Sequence, residues 1–149
     1  MNKIREFKSA IYFNDFNKVS LLLKDKTFNQ FNSLNEDIIE AAGQGYISIV
    51  ELLLNEPRIN ITAEQINQAI CMASFNGFYE IVTSLLSKKN INPAYDKNYS
   101  IIYASYNKHN DVVELLWKYK IVKNTLKNDN IELYNKLIKK DIGSKVREF

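Results

Sequence analysis

Apolar residues along this chain fall at helical rather than strand spacing. Ile38, Ala41 and Ala42 form one such set, and Ala69, Met72 and Ala73 another. Steps of three and four predict an α-helix with one buried stripe, its small alanine allowing close approach of a neighbour. Shortly afterwards Ile49, Val50, Leu53 and Leu54 stand at i, i+1, i+4 and i+5. They predict a second helix whose broad apolar face needs cover on both sides. Gly45 and Gly77 lie where the first helix must end and the chain reverse, a place that favours a left-handed residue. One such pair cannot be stable alone, and stacking of several removes the difficulty.

The pair recurs. Alanines at 10, 41, 73 and 104 are separated by 31, 32 and 31 residues, and valines at 19, 50, 82 and 113 repeat those intervals. Leu22-Leu23, Leu53-Leu54, Leu85-Leu86 and Leu116-Trp117 follow in register. Equal offsets at independent positions mark a repeat array.

The pattern Ala-x-x-x-Gly-x-x-x-Ile-Val-x-x-Leu-Leu, at an interval near 32, resembles the ankyrin repeat over residues 4 to 138. The resemblance implies an all-α solenoid of about five stacked antiparallel helix pairs with short connectors. Its expected units are 4–35, 36–65, 66–98, 99–120 and 121–140, forming one domain over 1–140 with a frayed tail at 141–149. His109 matches the family's histidine after the glycine, although Lys108 holds the glycine position. The family's Thr-Pro-Leu-His opening is absent; Glu36-Asp37-Ile38-Ile39, Gln68-Ala69-Ile70-Cys71 and Tyr99-Ser100-Ile101-Ile102 replace it. Apolar packing by Ile39, Cys71 and Ile102 is expected to take over from the hydrogen bonds that motif makes. At the far end Thr125 takes the alanine position and Asp129 the glycine position, only 21 residues beyond Ala104 and Lys108. Leu133-Tyr134 and Leu137-Ile138 supply its second helix, and this shortened unit reads as a closing pair.

Composition narrows the function. The chain has 149 residues, 46% hydrophobic and 25% charged, enough to bury a continuous core without disulfides or metals. The single cysteine, Cys71, sits in an apolar run and is expected to pack as a small hydrophobe. No leader and no membrane-length apolar run is apparent, so an intracellular, cytoplasmic protein is expected. Heavy use of Asn, Lys, Ile and Tyr suggests an AT-rich genome, and the host-cell cytoplasm if the source is a virus. His109 has no nucleophile beside it in any motif, and Cys71 with His109 cannot make a metal site. The glycines at 43, 45, 77 and 143 form no phosphate loop. No catalytic residue, metal or cofactor is expected. A net charge of +3 is too mild to signal nucleic acid. The late lysines (118, 120, 123, 127, 136, 139, 140 and 145, with Arg147) are read as a solvated outer face. An acidic protein, a phosphate backbone or a membrane surface is the alternative for them.

The resemblance implies a protein partner bound on the concave side, by connector tips and the exposed edges of first helices. The matching positions before each glycine are Tyr12-Phe13, Gly43-Gln44, Phe75-Asn76 and Tyr106-Asn107. Connector tips add Phe31 and Asn32, then Glu64, Gln65 and Asn67, then Tyr95, Asp96, Lys97 and Asn98. The expected partner-binding set is Tyr12, Gln44, Glu64, Phe75, Asn76, Tyr95, Asp96, Tyr106 and Asn107, with Phe13 assigned to packing of the cap. Self-association into a homo-oligomer through the same face is the alternative reading.

Overall fold

The computed structural model describes residues 3–25, 27–28 and 36–146. Phe31, Asn32 and Arg147 lie outside the described residues. Those described form ten helices and no strand: α1 (Lys3–Tyr12), α2 (Phe16–Lys24), α3 (Asp37–Gly43), α4 (Ile47–Leu54), α5 (Ala63–Asn76), α6 (Tyr79–Leu86), α7 (Tyr95–Tyr106), α8 (Asn110–Trp117), α9 (Lys120–Asp129) and α10 (Ile131–Val146). Odd-numbered helices stack in one layer, α1 on α3, α3 on α5, α5 on α7 and α7 on α9. The even-numbered helices α2, α4, α6 and α8 stack behind them, and each pair packs on itself. This is the expected helical solenoid.

The repeated residues explain the register. Ala41, Ala73 and Ala104 are fully buried, as are Val19, Val50 and Val82, and Val113 is 5% exposed, so each small or branched residue fills one layer of a continuous core. The turn between the helices of a pair is the same four times. Asn14, Gly45, Gly77 and Lys108 all have positive φ (55°, 82°, 78° and 65°). The next residue's N–H reaches back to the repeated alanine: Asp15 to Ala10, Tyr46 to Ala41, Phe78 to Ala73 and His109 to Ala104, at 2.7–2.9 Å. A second bond runs from the left-handed residue to the carbonyl after the alanine, as in Gly77 to Ser74. Together they satisfy the carbonyls left at the helix end, the Schellman arrangement. The fifth unit departs from this. Asp129 has no left-handed turn, α9 runs through it, and Asn130 Oδ1 instead accepts the Leu133 N–H at 3.0 Å.

Two positions read as connector tips turn inward. Asn67 is buried, and its Oδ1 accepts the Asn92 N–H at 3.0 Å, pinning the following connector. Asn98 is wholly buried and donates from Nδ2 to Thr125 Oγ1 (2.7 Å) and Asp129 Oδ2 (2.6 Å) on α9. That inward reach accompanies a left-handed turn at Asp96, Lys97 and Asn98, with φ of 48°, 54° and 62°, at the start of α7. Neither asparagine is free for a partner. Phe13 also departs from expectation: it is 74% exposed and meets Tyr12 edge-on, rather than packing in the cap.

Helix α10 continues past residue 140 to Val146. Trp117 Nε1 donates to Asp141 Oδ2 at 2.8 Å, Lys123 Nζ reaches the same oxygen at 3.2 Å, and Tyr134 closes edge-on over Trp117. Position 141 therefore secures α10 onto α8 and α9.

Candidate functional site

The stack leaves one side of α1, α3, α5 and α7 uncovered, and the repeat brings equivalent residues into a row there. Tyr12 on α1 is 64% exposed, Phe75 on α5 37% and Tyr106 on α7 81%. Each precedes its left-handed residue by two, so the turn geometry carries it to the same edge. Met72 and Tyr103 join them as half-exposed neighbours. Tyr103 stacks on Tyr99 at 4.1 Å and approaches Phe75 at 5.9 Å. Tyr99 and Tyr103 were missed by reading the repeat motif alone, and Met72, assigned to the buried stripe of the first helix, is 41% exposed instead. Their signal was helical: Met72 lies three residues before Phe75, and Tyr99 four before Tyr103.

The polar members of the expected set have mixed employment. Asn76 donates from Nδ2 to Gly43 O at 2.9 Å, and Asn107 from Nδ2 to Phe75 O at 2.8 Å. Each therefore ties its turn to the preceding repeat while remaining at the surface. His109 Nε2 stands 3.0 Å from the same Phe75 oxygen. A carbonyl only accepts, so that nitrogen carries the proton. These side chains supply, from the far end of the first helices, the inter-repeat bonding that the missing opening motif would have made. Ile39 and Ile102 pack partly buried against the core, and Cys71 is buried. Gln44 turns back to Glu40 on its own helix at 3.1 Å. Tyr95 lies with its hydroxyl 3.4 Å from Glu64 Oε1, the outer limit of a hydrogen bond, and Asp96 is exposed in the left-handed turn beside it.

Three cavities run along this side between successive first helices, and Ile39 lines all of them. One of about 330 Å³ is lined by Ile39, Gln68, Cys71, Met72, Tyr95, Asp96 and Tyr99. The Cys71 thiol accepts a hydrogen bond from Ser100 Oγ at 3.3 Å, and burial pushes its pKa up, so it stays a thiol. A second, of about 470 Å³, lies between α1, α3 and α5 and is lined by Lys8, Tyr12, Glu36, Asp37, Ile39, Glu40 and Gln68. Burial pushes the Asp37 carboxyl up to about 6; Lys8 opposes that rise, while Glu36 and Glu40 add to it.

Among the described residues no group of three or more His, Cys, Asp or Glu is placed to hold a metal ion. Nor is any helix among them long and apolar enough to cross a membrane.

Residues 38–128 match the family model of ankyrin repeats in three copies. The chain belongs to the ankyrin-repeat family. The matched span opens one residue after Asp37 and closes one before Asp129, so it holds the three units with the clearest Ala-Gly-Val-Leu spacing. The first pair, α1 with α2, and most of the last lie outside it, where the repeat is more degenerate. Ankyrin repeats generally mediate protein–protein interaction, and here the exposed row crosses from α1, outside the matched span, to α7 within it. No curated protein matches the sequence.

Proposed function

We propose that this ankyrin-repeat protein is a non-catalytic scaffold that captures another protein on its concave side. The observation carrying this reading is the set of exposed rings on the first helices, Tyr12 on α1, Phe75 on α5, and Tyr103 and Tyr106 on α7. Such rings offer large, stiff contact area, and polar groups beside them such as Glu64, Gln44 and Asp96 orient a partner. The cavity beside Met72 and Tyr99 gives that row depth for an inserted apolar side chain.

The test is capture of partners from the native lysate by the whole chain and by the Phe75→Ala, Tyr106→Ala double variant. Capture should fall more than about tenfold, since losing one central ring costs about 2 kcal/mol of binding. The unfolding midpoint should move little on the loss of Tyr106, 81% exposed, and modestly on the loss of Phe75, 37% exposed against Tyr103. A large loss of stability with capture retained would place the rings in the fold instead. Sedimentation of the purified chain separates this reading from self-association, which would give a concentration-dependent dimer sensitive to the same two changes.

A further inference from the structure

The cavity between α1, α3 and α5 has a chemistry of its own. Three carboxylates, Glu36, Asp37 and Glu40, line it with a single cation, Lys8. Asp37 is only 7% exposed, and its Oδ2 is buried with no hydrogen-bond partner. A buried acceptor left without a donor is costly, and a donor brought from outside removes that cost. Among the described residues Lys8 makes no salt bridge with it, while Lys3 pairs with Asp25 and Lys18 with Glu6. The other walls are suited to a long side chain, with Ile39 apolar and the exposed Tyr12 ring at the mouth.

We propose that this cavity is a specificity pocket for one arginine side chain of the partner protein. The inference rests on the proposed function and names the chemistry that the partner must carry. An arginine stem lies along Ile39, its planar fork donates to Asp37 and to Glu40, and Tyr12 covers the cation's face. The fork's charge offsets the excess of acid over Lys8, and it meets the unpartnered Oδ2, closed to solvent in the free chain, once the Asp37 carboxylate turns toward the cavity. Among the described residues no three carboxylates are placed to hold a metal ion, which favours an extended, multi-donor cation over a compact one. The pocket shares Ile39 and Gln68 with the cavity beside Met72 and Tyr99. A partner segment that places an apolar side chain there thus places its arginine here.

The whole chain, with its carboxyl carbons labelled for NMR, is titrated at constant ionic strength with N-acetyl-arginine amide and, in parallel, with N-acetyl-citrulline amide. Citrulline keeps the shape and loses the charge. The arginine amide should give saturable shifts at Asp37 and Glu40 and lower the Asp37 titration midpoint by roughly one unit. Citrulline should give neither. The Glu36→Gln, Glu40→Gln variant, changed only at exposed positions, should keep its fold and lose most of the response. Equal responses to the two amides, or an undiminished response in the variant, would overturn the pocket. Loss of the pocket with capture still dependent on Phe75 and Tyr106 would remove this inference and leave the scaffold reading standing. A dimer of the chain abolished by the Glu36→Gln, Glu40→Gln change would make the occupant a second copy, and the partner assignment would fall.

Discussion

Asp37 is a carboxylate whose cost to the fold depends on pH. Its ordinary value is 3.8, and burial raises it to about 6 in the folded chain, against the pull of Lys8 and with the push of Glu36 and Glu40. The fold therefore holds this proton more tightly than the unfolded chain does. Its contribution to stability is full below about pH 4 and is lost as pH rises through 6. A shift of about two units corresponds to about 3 kcal/mol. Asp37→Asn should therefore raise the urea midpoint at pH 7.5, by an amount equivalent to about 2–3 kcal/mol more than at pH 4. The comparison of the two pH values is the readout, because a fixed penalty for an unpaired amide drops out of it. An equal effect at both would show that Asp37 is not held protonated by the fold.

At the scale of the element, the repeated turn governs. Gly77 is required twice over: its φ is +78°, and a Cβ there would lie 2.4 Å from the His109 ring of the next repeat. Gly45 stands likewise beneath the Phe78 ring, at 2.8 Å. Gly77→Ala should cost about 1–2 kcal/mol in backbone strain alone, and more once His109 is pushed from the Phe75 carbonyl. Lys108 occupies the same left-handed position with a side chain, at φ 65°. Lys108→Gly should stabilise by up to about 1 kcal/mol, the strain relieved outweighing the extra freedom of the unfolded chain. Urea unfolding of the two variants tests both signs. A neutral Gly77→Ala would mean that the turn relaxes without the left-handed residue. This turn was legible in the sequence because glycine and alanine have fixed offsets for steric reasons. The inward asparagines were not, since an Asn at a tip and one inside read alike until its partner is known. Thr125 and Asp129 come from 27 and 31 residues away. The recurrence of Asn at 35, 67 and 98, at the repeat's own interval, was the only trace.

Over the whole molecule, a stack of like units is stable only if its ends are closed, and the two ends are closed differently. At the front, Phe7 packs against Phe28 at 5.3 Å, and the polar side of α1 faces outward. At the back, Leu133 and Leu137 of α10 are buried, and Trp117 reaches across to Asp141. The sequence showed the leucines of the closing pair, because they keep the spacing of the second helices before them. It did not show where that pair stops, because residues beyond 140 carry no repeat signal and Asp141 acts through an indole donor 24 residues earlier. The consequence can be tested by cutting the chain at two places. A chain ending at Val146 keeps the Asp141 carboxylate and should match the full chain in both stability and tryptophan emission. A chain ending at Lys140 leaves the Trp117 N–H without its acceptor and Lys123 without its ion pair. Its emission, from the single tryptophan, should shift to the red, and unfolding should become easier by about 1–2 kcal/mol. If the shorter chain were indistinguishable from the longer one, residues from 141 onward would be a tail. The closure would then rest on Leu133, Leu137 and Tyr134 alone.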